Sequence, residues 1–211
     1  TGCDRMEEAL TLETAVALAF NTAMDAIRQG TTSANICLSI GSDAPEMLRL
    51  VRDTFLTVGL RGILFGEISA RFESDELSQI LDAVQRESEQ GQTSTMKLGL
   101  ALRDVENFSD ASLDLVSQKT KEKPLPIQFD LNSDEASVAA TIERLSTRGL
   151  LNAQATINPS CRLSQDISNN LAKLGVWITY CPTSAARRGV QLGIPAEFGD
   201  NVMLGTNDGG C

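Results

Sequence analysis

The chain has 211 residues, 42% of them hydrophobic and 22% charged, enough to bury a sizeable core in one domain spanning residues 1–211. A net charge of −10 and a pI near 4.5 argue against nucleic acid or an anionic membrane as partner. No apolar run approaches the roughly 20 residues of a membrane span, and no basic stretch leads into an apolar one as in a signal peptide.

Apolar residues at helical spacing run from Leu12 to Ile27, with Thr11 as N-cap and Gly30 as stop. Ala34 to Ile40 reads as a strand. Asp43 and Glu46 have capping-box spacing, with Pro45 in the first turn, and open a helix that stops at Gly59. Arg61 to Ile68 is the next strand, Ser74 to about Gln90 a helix closed by Gly91, and Met96 to Leu102 a strand. Ser109 caps a helix to about Lys119, followed by a strand from Leu125 to Leu131. Ser133 or Asp134 caps a helix ending at Gly149. Gln154 to Ile157 is strand, Ser164 to Leu174 helix with Gly175 as stop, and Val176 to Cys181 strand. A short helix is expected over Ala185 to Leu192, and Val202 to Gly205 is the last strand.

Strands that alternate with helices and are apolar throughout indicate a parallel sheet covered by helices. No GxGxxG or GxxxxGK[ST] follows the first strand, which weakens an open nucleotide-binding sheet. Regular units of about 30 residues suit a barrel. The expected fold is therefore α/β, an incomplete (β/α)8 TIM-barrel-like domain with about seven parallel strands, its missing unit lying upstream.

Five cysteines, Cys3, Cys37, Cys161, Cys181 and Cys211, include no CxxC pair. Neither a zinc ribbon nor a thioredoxin-type motif is supported, and reduced thiols in a cytoplasmic protein are expected.

In a barrel, function sits at the C-terminal ends of the strands. Those ends carry Ser39–Gly41, Glu67–Ser69, Leu102–Asp104, Gln128–Asp130, Asn158–Arg162, Cys181–Ser184 and Asn207–Asp208. The chain contains no histidine, so a Ser–His–Asp triad is excluded by composition.

Four stretches in this order resemble the amidohydrolase superfamily, in the branch of chlorohydrolases and guanine and cytosine deaminases. They are ETAVALAFNTAMDAIRQGTTSANI with its GxTT-like turn, VGLRGILFGEI, LSQDISNNLAKLGVWITYCPTSAA with its CP-containing segment, and VMLGTNDGG, similar to the family's GTD strand. The resemblance implies one or two metal ions held by His-x-His on the first barrel strand, histidines ending the fifth and sixth, and Asp ending the eighth. In this chain the fifth-strand position falls on Asp130, the family's acid/base Glu on Ser133, and the sixth-strand position on Pro159. A further substrate-binding His falls on Arg162, and the last Asp on Asn207, with Asp208 one residue on.

Zinc and iron favour imidazole, thiolate and carboxylate ligands, and a catalytic zinc takes three from the protein. Pro159 offers none and Asn207 only a neutral oxygen. The simpler readings are a solvated strand end for Asp130, a turn for Asp208, a core thiol for Cys181, and surface positions for Arg162, Arg187 and Arg188. A metal-free acid/base pair of Glu67 and Asp104 awaits geometry.

The expectation is an amidohydrolase-like protein with a vestigial site and no metal cofactor, serving as a structural or interaction subunit or a split-gene product. It would be a homo-oligomer, or would dock a subunit over the seam left by the missing strand. The rival is a metal-dependent hydrolase or deaminase, holding a divalent ion such as zinc and acting on C–N or C–Cl bonds of small heterocycles. A partner chain would supply its histidines.

Overall fold

The computed structural model describes residues 11–40, 44–90, 95–132, 134–187, 189 and 196–206. Helix α1 (Leu12–Arg28) leads to β1 (Ser33–Ser39), α2 (Ala44–Val58), β2 (Arg61–Ile68), α3 (Ser74–Gln90) and β3 (Met96–Leu102). Then come α4 (Asp110–Glu122), β4 (Ile127–Leu131), α5 (Glu135–Thr147), β5 (Ala155–Pro159), α6 (Gln165–Lys173), β6 (Trp177–Tyr180), α7 (Pro182–Arg187) and β7 (Val202–Leu204).

The strands follow one another through one seven-stranded sheet in chain order, β1 to β7. A doubly wound sheet would reverse that order at a switch point. Unbroken sequential winding of parallel strands through helices is instead the pattern of an incomplete (β/α)8 barrel. The register is regular. Ser33 to Ser39 lie beside Arg61 to Glu67, and Ile127 to Leu131 beside Ala155 to Pro159.

The chain packs as two compact units, Thr1–Ile68 with Asp75–Ala101, and Ser69–Ser74 with Leu102–Cys211. In the first, α1 buries only Ala15, Ala19 and Ala23, a small-residue stripe at helical spacing that lets it lie on α2. Leu48, Phe55, Leu64, Phe65, Leu81 and Leu98 form its core. In the second, all five residues of β4 are buried, and Phe129 is inaccessible to solvent. Arg144 on α5 and Arg148 at its C-cap grip α4: both guanidinium groups reach Asp110 at 3.0 Å, and Arg148 reaches Asp114 at 2.7 Å. The Ser117 hydroxyl donates to the Arg148 carbonyl at 2.7 Å from a buried position.

The expected caps form. Thr11, Ser109, Asp134 and Ser164 each accept a backbone N–H from three residues on, at 3.2, 3.1, 2.9 and 3.4 Å. Gly59 and Gly175 end helices at φ +90° and +72°, a conformation that favours glycine. Ser133, Asp43, Gly41 and Gly91 lie outside the described residues.

Several boundaries differ from expectation by a residue or more, and three of them have a clear physical reason. β4 starts at Ile127, because Pro124 and Pro126 have no N–H for a ladder. β5 runs to Pro159 rather than stopping at Ile157, since Ser160 N–H still bonds to the Leu131 carbonyl at 2.8 Å. Helix α7 spans Pro182–Arg187, with proline in its first turn, instead of starting at Ala185. Two 3-10 turns, Val105–Asn107 and Ala196–Phe198, were not signalled by the sequence pattern.

Candidate functional site

The polar groups at the strand ends of the second unit converge on Asp130. This residue is the fourth of β4 and is 92% removed from solvent, at 8% relative exposure. Alternation along the strand puts Gln128 on the same face, and its amide donates to Asp130 Oδ1 at 3.1 Å. The parallel register sets Asn158 beside Asp130, and Asn158 Nδ2 donates to the same oxygen at 3.1 Å. The next strand adds Cys181, buried, whose Sγ lies 3.7 Å from Asn158 Oδ1 as donor. A buried carboxylate is thus held by amide N–H groups, which supply the donors that burial removes.

Beyond β3 the chain turns through Asp104, which sits in the left-handed region at φ 51°. Asp104 Oδ1 accepts from Asn132 Nδ2 at 2.5 Å, and Glu106 Oε1 accepts from the Asn132 backbone N–H at 2.8 Å. Cys161, in the loop after β5, is pushed above the ordinary thiol range by burial, and further by the negative charges of Glu135, Glu106 and Asp134. It is therefore held as the thiol near neutral pH, not as the nucleophilic thiolate. These strand ends carry a negative field.

The site positions taken from the family resemblance fall as follows. Asp130 is in the network. Pro159 is buried beside Leu131 in the register, so Asn158, not Pro159, is the β5 neighbour of Asp130. Arg162 is exposed. Ser133, Asn207, Asp208 and Arg188 lie outside the described residues. In the first unit Glu67 accepts from Ser39 Oγ at 3.0 Å. Sequence reasoning placed Gln128 and Asn158 at strand ends but gave neither a role beside Asp130. Two-residue alternation along the strand would have put Gln128 on the face of Asp130. Pairing Asn158 with it needed the register.

Among the described residues, the donors at these strand ends do not fit the metal that the resemblance implies. Among the described residues no group of three or more cysteine, aspartate or glutamate side chains is placed to hold a metal ion, and the chain has no imidazole to offer. Asp130 is already engaged by two amides. The groove of about 620 Å³ in the first unit lies elsewhere, between α1 and α2, with Val16, Phe20, Leu50 and Thr54 in its wall. Among the described residues no helix is long and apolar enough to cross a membrane.

No family model matches the sequence, and no curated protein matches it either. Solved structures do match. Guanine deaminase from C. acetobutylicum superposes with a TM-score of 0.80 at 16% identity, over 96% of this chain and 52% of that one. The E. coli guanine deaminase gives 0.72 at 18% identity, over 94% and 49%. Atrazine chlorohydrolase TrzN from Arthrobacter aurescens TC1, complexed with zinc, gives 0.75 at 12% identity, over 90% and 48%. The likeness is one of fold. The chain spans about half the length of these neighbours.

Proposed function

We propose that this chain is an amidohydrolase-like barrel segment that carries out no metal-dependent hydrolysis by itself and acts as a structural or interaction subunit. The observation that supports this reading is the hydrogen-bonded set Gln128–Asp130–Asn158–Cys181. Metal-activated water needs ligands that deprotonate or donate a lone pair to the ion. Here the one buried strand-end carboxylate of that set is taken up by neutral amides. Asp130, Ser133, Pro159, Arg162, Asn207 and Asp208 are on this reading remnants of a site. The absence of disulfides at Cys37, Cys161 and Cys181 supports a cytoplasmic setting.

The rival reading, a hydrolase or deaminase completed by histidines from other polypeptide, draws on the fold shared with a zinc-complexed chlorohydrolase. Metal analysis separates the two. After exposure to zinc, manganese and iron(II) and then desalting, mass spectrometry should find no stoichiometric metal. A tightly held ion at one per chain would sink the non-catalytic reading.

A further inference from the structure

Helix α1 turns its smallest residues inward. Ala15, Ala19 and Ala23 are buried, while Leu18, Phe20 and Ile27 keep 53%, 47% and 39% of their surface exposed. An amphipathic helix ordinarily puts its large apolar residues in the core. Two of these three share a face. At about 100° per residue, Val16, Phe20 and Ile27 fall within about 40° of one another, whereas Leu18 lies about 160° from Phe20, on the far side of the helix.

Val16 and Phe20 stand in one wall of the groove of about 620 Å³ between α1 and α2, within the first unit. Leu50, Thr54 and Thr57, at i, i+4 and i+7 of α2, stand in the other. Thr54 and Thr57 donate their hydroxyls to the Leu50 and Asp53 carbonyls of their own helix, each at 2.8 Å. That wall therefore offers a ligand hydrocarbon. The charged residues of the lining are Glu13 and Asp53, with no Lys or Arg among them. Asp53 Oδ1 accepts from the buried Arg52 at 3.2 Å, and Glu13 is exposed.

Charge and length together select an occupant. A second copy would bring the same carboxylates to a two-fold interface, and a further −10 with them. An anionic membrane is repelled for the same reason. A small apolar molecule would fill the groove but leave Ile27, about 9 Å further along the helix than Asn21 in the lining, uncovered.

We propose that the α1–α2 groove docks an amphipathic helix of another polypeptide, one with apolar residues at i, i+3 or i+4, and i+7, flanked by Lys or Arg. Its apolar stripe covers Val16, Phe20 and Ile27, and its cations face Glu13 and Asp53. This names a partner chemistry for the interaction subunit proposed above and rests on that reading. Metal content and helix binding are read separately, so failure of the one is told from failure of the other.

Fluorescence anisotropy of the intact chain with a labelled synthetic helix of about 18 residues, long enough to run along α1, reads the outcome. The probe carries Leu on one face and Lys on its flanks. It should bind, and the same peptide with Glu for every Lys should bind about tenfold more weakly or worse. Phe20→Ala should weaken the Lys peptide by about tenfold, with circular dichroism unchanged, and Leu18→Ala should leave it as it was. Thr57→Lys, exposed on the other wall, keeps the test open should Phe20→Ala disturb α1, and should weaken binding as much. Failure of the Lys peptide to bind overturns the proposal. Equal binding of the Glu peptide, or an equal loss in Leu18→Ala, overturns it too, since the contact is then not this groove's charge or face. A dimer in light scattering that Thr57→Lys dissolves gives the groove to a second copy and overturns it likewise.

Discussion

Asn158 joins two strand ends through one side chain, its Nδ2 donating to Asp130 and its Oδ1 accepting from Cys181. Removing it leaves a buried carboxylate short of a donor. Asn158→Ala is expected to destabilise the fold by about 1–3 kcal/mol in urea unfolding, more than truncation of an exposed asparagine such as Asn170. Gly62 is as constrained by backbone. It lies in β2 at φ +139°, and a Cβ there would come 1.8 Å from the Ala34 carbonyl oxygen. No side-chain rotation relieves a clash with backbone, so Gly62→Ala should cost more than about 3 kcal/mol, or prevent folding, in the same measurement. Asp130 was visible in the sequence as a polar residue ending an apolar strand. Gln128 and Asn158 were visible as strand-end residues too, but not as its partners, because the register decides which residue of β5 lies beside Asp130.

At the scale of elements, the helix starts were legible because a cap is a local contact three residues long. Asp134 shows its electrostatic consequence. The Ser137 backbone N–H and then the Ser137 hydroxyl hold its carboxyl below the ordinary carboxylate range. A lowered folded pKa stabilises the protein above the unfolded value of about 3.9. That contribution fades as pH falls through the lowered value. Titration followed by carboxyl NMR should give Asp134 a midpoint below the ordinary aspartate value, and Ser137→Ala should move that midpoint upward by removing the hydroxyl donor. The short α7 and the late start of β4 answer to proline chemistry at Pro182 and Pro126, which periodicity alone does not weigh.

For the whole molecule, burial grades the strands. β4 is buried at every position and β1 at none. Hydrogen exchange read by mass spectrometry should therefore protect Ile127–Leu131 longer than Ser33–Ser39, since local opening is easiest where few apolar contacts are lost. Equal protection of the two strands would show that burial does not order their stability.

The sequence by itself determined the order of helices and strands, the caps that start the helices, the α/β class with its sequential units, and the want of imidazole for any metal. These follow from composition and from contacts between residues a few positions apart. Only the tertiary structure decided which residues meet at the strand ends. Asn158 rather than Pro159 stands beside Asp130, and β1 is left half-covered at the end of the sheet. Strand register and edge exposure depend on which distant segment pairs with which. That choice is set by long-range burial and ladder hydrogen bonds, for which the local pattern carries no address.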